Sequence, residues 1–65
     1  MQITVNGESR QVADGASVAD LLDALKLSDK PVAVEVNLDL VPRQHHAQHR
    51  LAEGDRLEIV TLVGG

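Results

Sequence analysis

The sequence predicts an α+β domain, a mixed sheet of four to five strands with one main helix packed on one face. Three observations carry that prediction. Met1, Ile3 and Val5 alternate with Gln2 and Thr4, the period-two pattern of a half-buried strand. Val18, Leu21, Leu22 and Leu25 fall at i, i+3, i+4 and i+7, which draws one apolar stripe along a helix. Near the end, Leu57-Glu58-Ile59-Val60-Thr61-Leu62-Val63 becomes almost wholly apolar, as a strand does when it has partners on both sides.

The elements follow in order. After the first strand, Asn6-Gly7 is a strong hairpin signal, because both positions tolerate positive φ. The return strand, roughly Ser9 to Val12, is polar and suits a sheet edge, where charge discourages strand addition. Ala13-Asp14-Gly15-Ala16 turns the chain, and Ser17 then caps the helix with Asp20 three residues on, a variant of the capping box. Asp20, Asp23 and Lys26 fall off the apolar stripe and are expected to face solvent. Pro31 closes the connection after the helix. Val32, Val34 and Val36 form a third strand, and Asn37-Leu38-Asp39 turns into a short fourth, Leu40-Val41, closed by Pro42. Arg43 to Arg50 is polar, with Leu51 its expected anchor in the core, and Glu53-Gly54-Asp55 turns into the last strand, Arg56 to Val63. Leu57, Ile59 and Val60 are expected in the core. A helix between the two halves is the crossover that parallel strands require, so the last strand is placed beside and parallel to the first. That is the β-grasp, or ubiquitin-like, arrangement, in a single domain spanning 1–65 with a flexible tail at 64–65.

Composition excludes several function classes. The chain has no cysteine, so neither a disulfide nor a thiolate metal site is available. A net charge of −4 argues against a nucleic-acid binder, and the absence of Phe, Tyr and Trp removes the stacking platforms that single-strand binders use. No apolar run reaches membrane-spanning length, and the sequence enters a strand pattern at once without a signal peptide. A soluble, cytoplasmic domain with neither a nucleic-acid nor a membrane partner is expected.

Side chains with catalytic potential are few. His45 and His49 stand at i and i+4, and His46 and His49 at i and i+3, spacings at which two imidazoles on a helical turn chelate zinc or nickel. No cysteine joins them, so a polar, solvated connection without a metal is the expectation. Asp20 and Asp23 read as solvated helix positions, and Asp14, Asp39 and Asp55 as turn formers. Ser9, Ser17 and Ser28 lack a flanking base and acid, and Gly7, Gly15 and Gly54 are isolated turn glycines rather than a phosphate-cradling loop. No catalytic residue and no bound cofactor are expected.

What remains is Gly64-Gly65, directly after the last strand. Glycine carries no Cβ, so two of them form a slim tail able to thread a narrow channel. Extended, they project a main-chain carboxylate roughly 7 Å beyond Val63. An ionised carboxylate is a poor electrophile. To transfer anything it must first be activated, most directly by adenylation with ATP on another protein, after which a sulfur nucleophile displaces AMP and leaves a thiocarboxylate.

The sequence resembles the thiamine-biosynthesis sulfur carriers, the ThiS family. The matching pieces are Met1-Gln2-Ile3-Thr4-Val5-Asn6-Gly7, Asp14-Gly15-Ala16-Ser17-Val18-Ala19-Asp20-Leu21-Leu22, Val32 to Asn37, Leu40-Val41-Pro42-Arg43, Gly54-Asp55-Arg56-Leu57-Glu58-Ile59-Val60 and Val63-Gly64-Gly65. The resemblance implies a carrier rather than an enzyme. It implies three partners: a ubiquitin-activating-like adenylyltransferase that attaches AMP to Gly65, a persulfide donor that converts it to a thiocarboxylate, and thiazole synthase, which takes the sulfur. Gly64, Val63 and Leu62 are then expected to thread into a partner. The chain departs from the pattern at Leu38, where many members have glycine, and at His45-His46, where an aromatic often follows Pro-Arg. The small subunit of molybdopterin synthase, another ubiquitin-like sulfur carrier and a protein modifier that forms isopeptide bonds through Gly65 are the alternatives. A plain interaction module, whose glycines have no role, is a further one.

Overall fold

In the computed structural model, which describes residues 1–62, the chain forms β1 (Gln2–Val5), β2 (Glu8–Gln11), α1 (Val18–Ala24), β3 (Val32–Val36), β4 (Asp39–Val41), a 3-10 turn (Arg43–His45) and β5 (Arg56–Thr61). The strands make one sheet in the order β2-β1-β5-β3-β4. β5 is central. It runs parallel to β1, with Val5 opposite Leu57, and antiparallel to β3, with Val34 opposite Ile59. The predicted class, the crossover and the parallel placement of the closing strand therefore stand as expected, but that strand ends at Thr61 rather than continuing through Leu62. The return strand begins one residue earlier than its polar pattern suggests, and the fourth strand includes Asp39.

The core lies between the sheet and α1. Ile3, Val5, Val34, Val36, Val41, Leu57 and Ile59 come from the strands, Val18, Leu21 and Leu22 from the helix, and Leu51 from the connection before β5. Leu25, at the end of the predicted stripe, packs against this cluster from its margin. One expected core residue is absent: Val60 is 56% exposed. β5 has strand partners on both edges but a helix on only one of its faces, so the alternation that buries Leu57 and Ile59 turns Val60 outward.

Local chemistry fixes the helix start. The Asp20 N–H donates to the Ser17 hydroxyl at 3.1 Å, and the Ser17 N–H donates to the Asp20 carboxylate at 2.9 Å, a reciprocal capping box. These bonds from Ser17, with a smaller contribution from the Arg50 guanidinium, hold the Asp20 carboxyl below its ordinary value. The segment 43–50 supplies the next caps: Val18 and Ala19 donate to the carbonyls of His49 and His46, both at 3.0 Å. That segment is less solvated than its composition suggests. His46 is only 6% exposed, and its Nε2 lies 3.0 Å from the Val41 carbonyl. The helix ends with Lys26 at φ 61, where its N–H donates to Asp23 and that of Leu27 to Leu22.

Candidate functional site

The expected tail grows out of β5, so the site begins with how that strand is held. Two asparagines grip it from opposite sides. Each stands first in a tight turn with positive φ at both central positions: Asn6 and Gly7 at 50° and 83°, Asn37 and Leu38 at 51° and 73°. The Asn6 N–H donates to the Leu57 carbonyl at 2.9 Å. Its side chain then adds a further rung, accepting from the Ile59 N–H at 2.8 Å and donating to the Ile59 carbonyl at 3.1 Å. Asn37 does the same lower on the strand. Its N–H donates to the Arg56 carbonyl at 2.7 Å, its Oδ1 accepts from the Arg56 N–H at 3.0 Å, and its Nδ2 donates to the Asp55 carboxylate at 3.0 Å.

At the far end, the Leu62 N–H donates to the Pro31 carbonyl at 2.8 Å. Backbone hydrogen bonding thus runs one residue past the end of β5, to the last described residue. Leu62 itself is 52% exposed. Val63, Gly64 and Gly65 lie outside the described residues.

The sheet face away from the helix carries features that the sequence pattern does not announce. Leu38 is 87% exposed and Leu40 65%; with Val60 and Leu62 they are the four exposed large apolar side chains among the described residues. A shallow groove of about 410 Å³ lies beside Leu38, bordered by Thr4, Gly7, Arg56 and Glu58. The apolar run that holds Val60 signals a strand but not how many of its faces are covered, so its outward turn is not read from sequence. Leu38 gave no such signal, because a leucine in a left-handed turn is not read from hydrophobic pattern.

The other polar candidates are held in structural roles. The Ser17 hydroxyl belongs to the helix cap, and the Ser9 hydroxyl accepts from the Gln2 side-chain amide. Among the described residues no group of three or more His, Cys, Asp or Glu side chains is placed to hold a metal ion; His46 is buried in its bond to Val41, while His45 is exposed. No helix among the described residues is long and apolar enough to cross a membrane. The arrangement offers a strand tied by backbone bonds as far as Leu62 and a sheet face on which exposed leucines stand beside charged side chains.

The chain also has relatives among known proteins. The ThiS family profile matches residues 3–65. The sulfur carrier protein ThiS of Escherichia coli is 34% identical over 65 residues, covering 100% of this chain and 98% of that protein. A crystal structure of the thiamine biosynthesis protein ThiS from Geobacter metallireducens superposes with a TM-score of 0.85 at 34% identity, covering 100% of this chain and 99% of the other. A thiazole synthase of Paramagnetospirillum magneticum is 42% identical over 65 residues, and there the whole of this chain corresponds to 20% of the longer protein.

Proposed function

The chain belongs to the ThiS family of sulfur carriers in thiamine biosynthesis, and on that premise we propose that the carboxyl group of Gly65 is where the sulfur is carried. A partner adenylyltransferase, similar to those that activate ubiquitin, joins the Gly65 carboxylate to the α-phosphate of ATP and releases pyrophosphate. The terminal sulfur of a persulfide donor then attacks the acyl carbon, and AMP leaves. A thiol cleaves the resulting acyl disulfide, taking the donor sulfur into a new disulfide and releasing the thiocarboxylate. Thiazole synthase accepts that sulfur, and the carrier returns as a carboxylate with oxygen from the acceptor or from water.

Each step occurs in a partner's active site, so the chain's own part is presentation. The carrying observation is the correspondence of this whole domain to a sulfur carrier at 34% identity over nearly all of both chains. The anchored end of β5 supports it. With Leu62 tied to Pro31, Val63, Gly64 and Gly65 form a short lead of three residues, roughly 10 Å when extended. Gly64 keeps that lead slim, and Leu62 and Val63 line the partner's channel mouth.

The test is the intact mass of the chain after incubation with ATP, an activating adenylyltransferase and a persulfide donor. The thiamine-pathway and molybdopterin-pathway activating enzymes are run in parallel. The expected result is one oxygen-for-sulfur exchange located on Gly65, made faster by the thiamine-pathway enzyme. No exchange with either enzyme, from chain shown to be folded, overturns the proposal.

A further inference from the structure

The central strand is held unequally along its two edges. On one edge, β3 accompanies β5 over five paired positions, from Val36 opposite Leu57 to Val32 opposite Thr61. On the other, the parallel ladder with β1 pairs only Thr4 with Arg56 and Val5 with Leu57. Beyond Leu57 a side chain continues that edge. The Asn6 amide accepts from the Ile59 N–H at 2.8 Å and donates to the Ile59 carbonyl at 3.1 Å, so one asparagine stands in for the next rung of backbone. The residue that follows it is Gly7. Both are exposed, and a Cβ added at Gly7 would meet nothing within 4 Å.

Asparagine followed by glycine is a chemically weak pair. Glycine has no Cβ to shield its nitrogen and leaves the backbone free to turn, so the Gly7 nitrogen has access to the Asn6 side-chain carbonyl carbon. Closing that five-membered ring requires the side chain to fold back on the residue after it. Here the same side chain reaches across to β5 instead, and the amide nitrogen that would have to leave is engaged with Ile59. The Asn6 N–H is tied as well, to the Leu57 carbonyl at 2.9 Å. The bonds that replace a rung of backbone therefore also keep the amide from its nucleophile.

We propose that Asn6-Gly7 is a deamidation site that the fold keeps latent, and that opening of the β1 edge of β5 releases it. The Gly7 nitrogen gives its proton to a solvent base and bonds to the Asn6 side-chain carbon, and the amide nitrogen leaves as ammonia. Water then opens the resulting succinimide at one of its two carbonyls. One product is aspartate; the other is isoaspartate, whose main chain runs through the former side-chain carbon. The net change consumes one water and releases one ammonia, with no oxidation or reduction. Either product loses the rung. Aspartate puts a carboxylate oxygen where a donor met the Ile59 carbonyl, and two acceptors at that distance repel and displace the side chain. Isoaspartate lengthens the main chain inside a two-residue turn between Val5 and Glu8, whose length sets the hairpin register. Past Leu57 the strand then keeps β3 alone. Since the change does not reverse itself, it records how often that edge has opened.

The experiment incubates the full chain in mildly alkaline buffer, folded and in denaturant, and locates amide-to-acid conversion by peptide mapping. In denaturant, conversion is expected at Asn6 ahead of Asn37, whose following leucine crowds the attacking nitrogen, with aspartate and isoaspartate both formed. In the folded chain it is expected to be at least about tenfold slower, because it waits on local opening. Equal rates in the two states overturn the latency. Conversion at Asn37 first, or none at Asn6 in denaturant, overturns the site. Amide hydrogen exchange reads the consequence on the Asn6→Asp chain and, where that variant folds poorly, on the deamidated fraction purified from the parent. The Ile59 N–H is expected to exchange about tenfold faster while the amides of α1 keep their protection. Unchanged protection at Ile59 in the deamidated chain overturns the loss of the rung.

Discussion

The two tight turns at the ends of β1 and β3 have nearly the same backbone and different second residues. Asn6-Gly7 and Asn37-Leu38 both place positive φ at two successive positions, and both use the asparagine to bond the backbone of β5. Glycine satisfies the second position in one turn, and leucine occupies it in the other. A Cβ added at Gly7 would meet nothing within 4 Å, so crowding does not enforce glycine there. What separates the turns is backbone preference alone, and the asparagine with the strand register is enough to hold the geometry. The second position is therefore open to a side chain wherever one is useful.

The comparison breaks most visibly at the asparagines. Asn6→Ala leaves the Ile59 N–H and carbonyl, on the central strand, without their partner, and should cost about 2–3 kcal/mol in chemical unfolding. Asn37→Ala removes bonds at an exposed site and should cost nearer 1 kcal/mol. The reverse order would mean that the lower turn, not the upper, secures β5. Next come the second positions. Gly7→Leu should lose about 1–2 kcal/mol, while Leu38→Gly should gain about 0.5–1 kcal/mol after the extra freedom of the unfolded glycine is counted. A loss at Leu38→Gly would show that the leucine contributes to folding after all. Lys26 sharpens the contrast, since it holds φ 61 at the helix end, away from the open face. Lys26→Gly should give a similar gain in melting temperature as Leu38→Gly. The smallest effect lies outside both turns. Because its native contacts lower the Asp20 carboxyl, its contribution is present above about pH 4 and is lost as pH falls through the lowered native value. Asp20→Asn should remove that part of the acid unfolding curve.

Much of this was legible because it was local. Alternation in Met1 to Val5 and Val32 to Val36, the Ser17–Asp20 cap and the Asn6-Gly7 turn each depend on neighbours within a few residues, and each took the expected form. The misreadings share another cause. Val60 sits in an apolar run that looks the same whether a central strand is covered on one face or two; only the number of layers decides. His46 stands in a polar stretch, yet a carbonyl five residues back and the start of the helix draw it inside. The candidate site divides the same way. Gly64 and Gly65 drew notice from sequence because little else competed for a chemical role, whereas the rung that Asn6 adds at Ile59 joins residues 53 apart and emerges only from the fold.

The position of β5 has a consequence for how the chain comes into being. The β1–β2 and β3–β4 hairpins do not pair with each other; β5 joins them, and it comes after every other element in the chain. During synthesis, then, the ribosome delivers two separate hairpins and a helix before it delivers the strand that makes them one sheet. The domain cannot complete its sheet until β5 has emerged, so folding waits on the strand that the chain delivers after the other described elements.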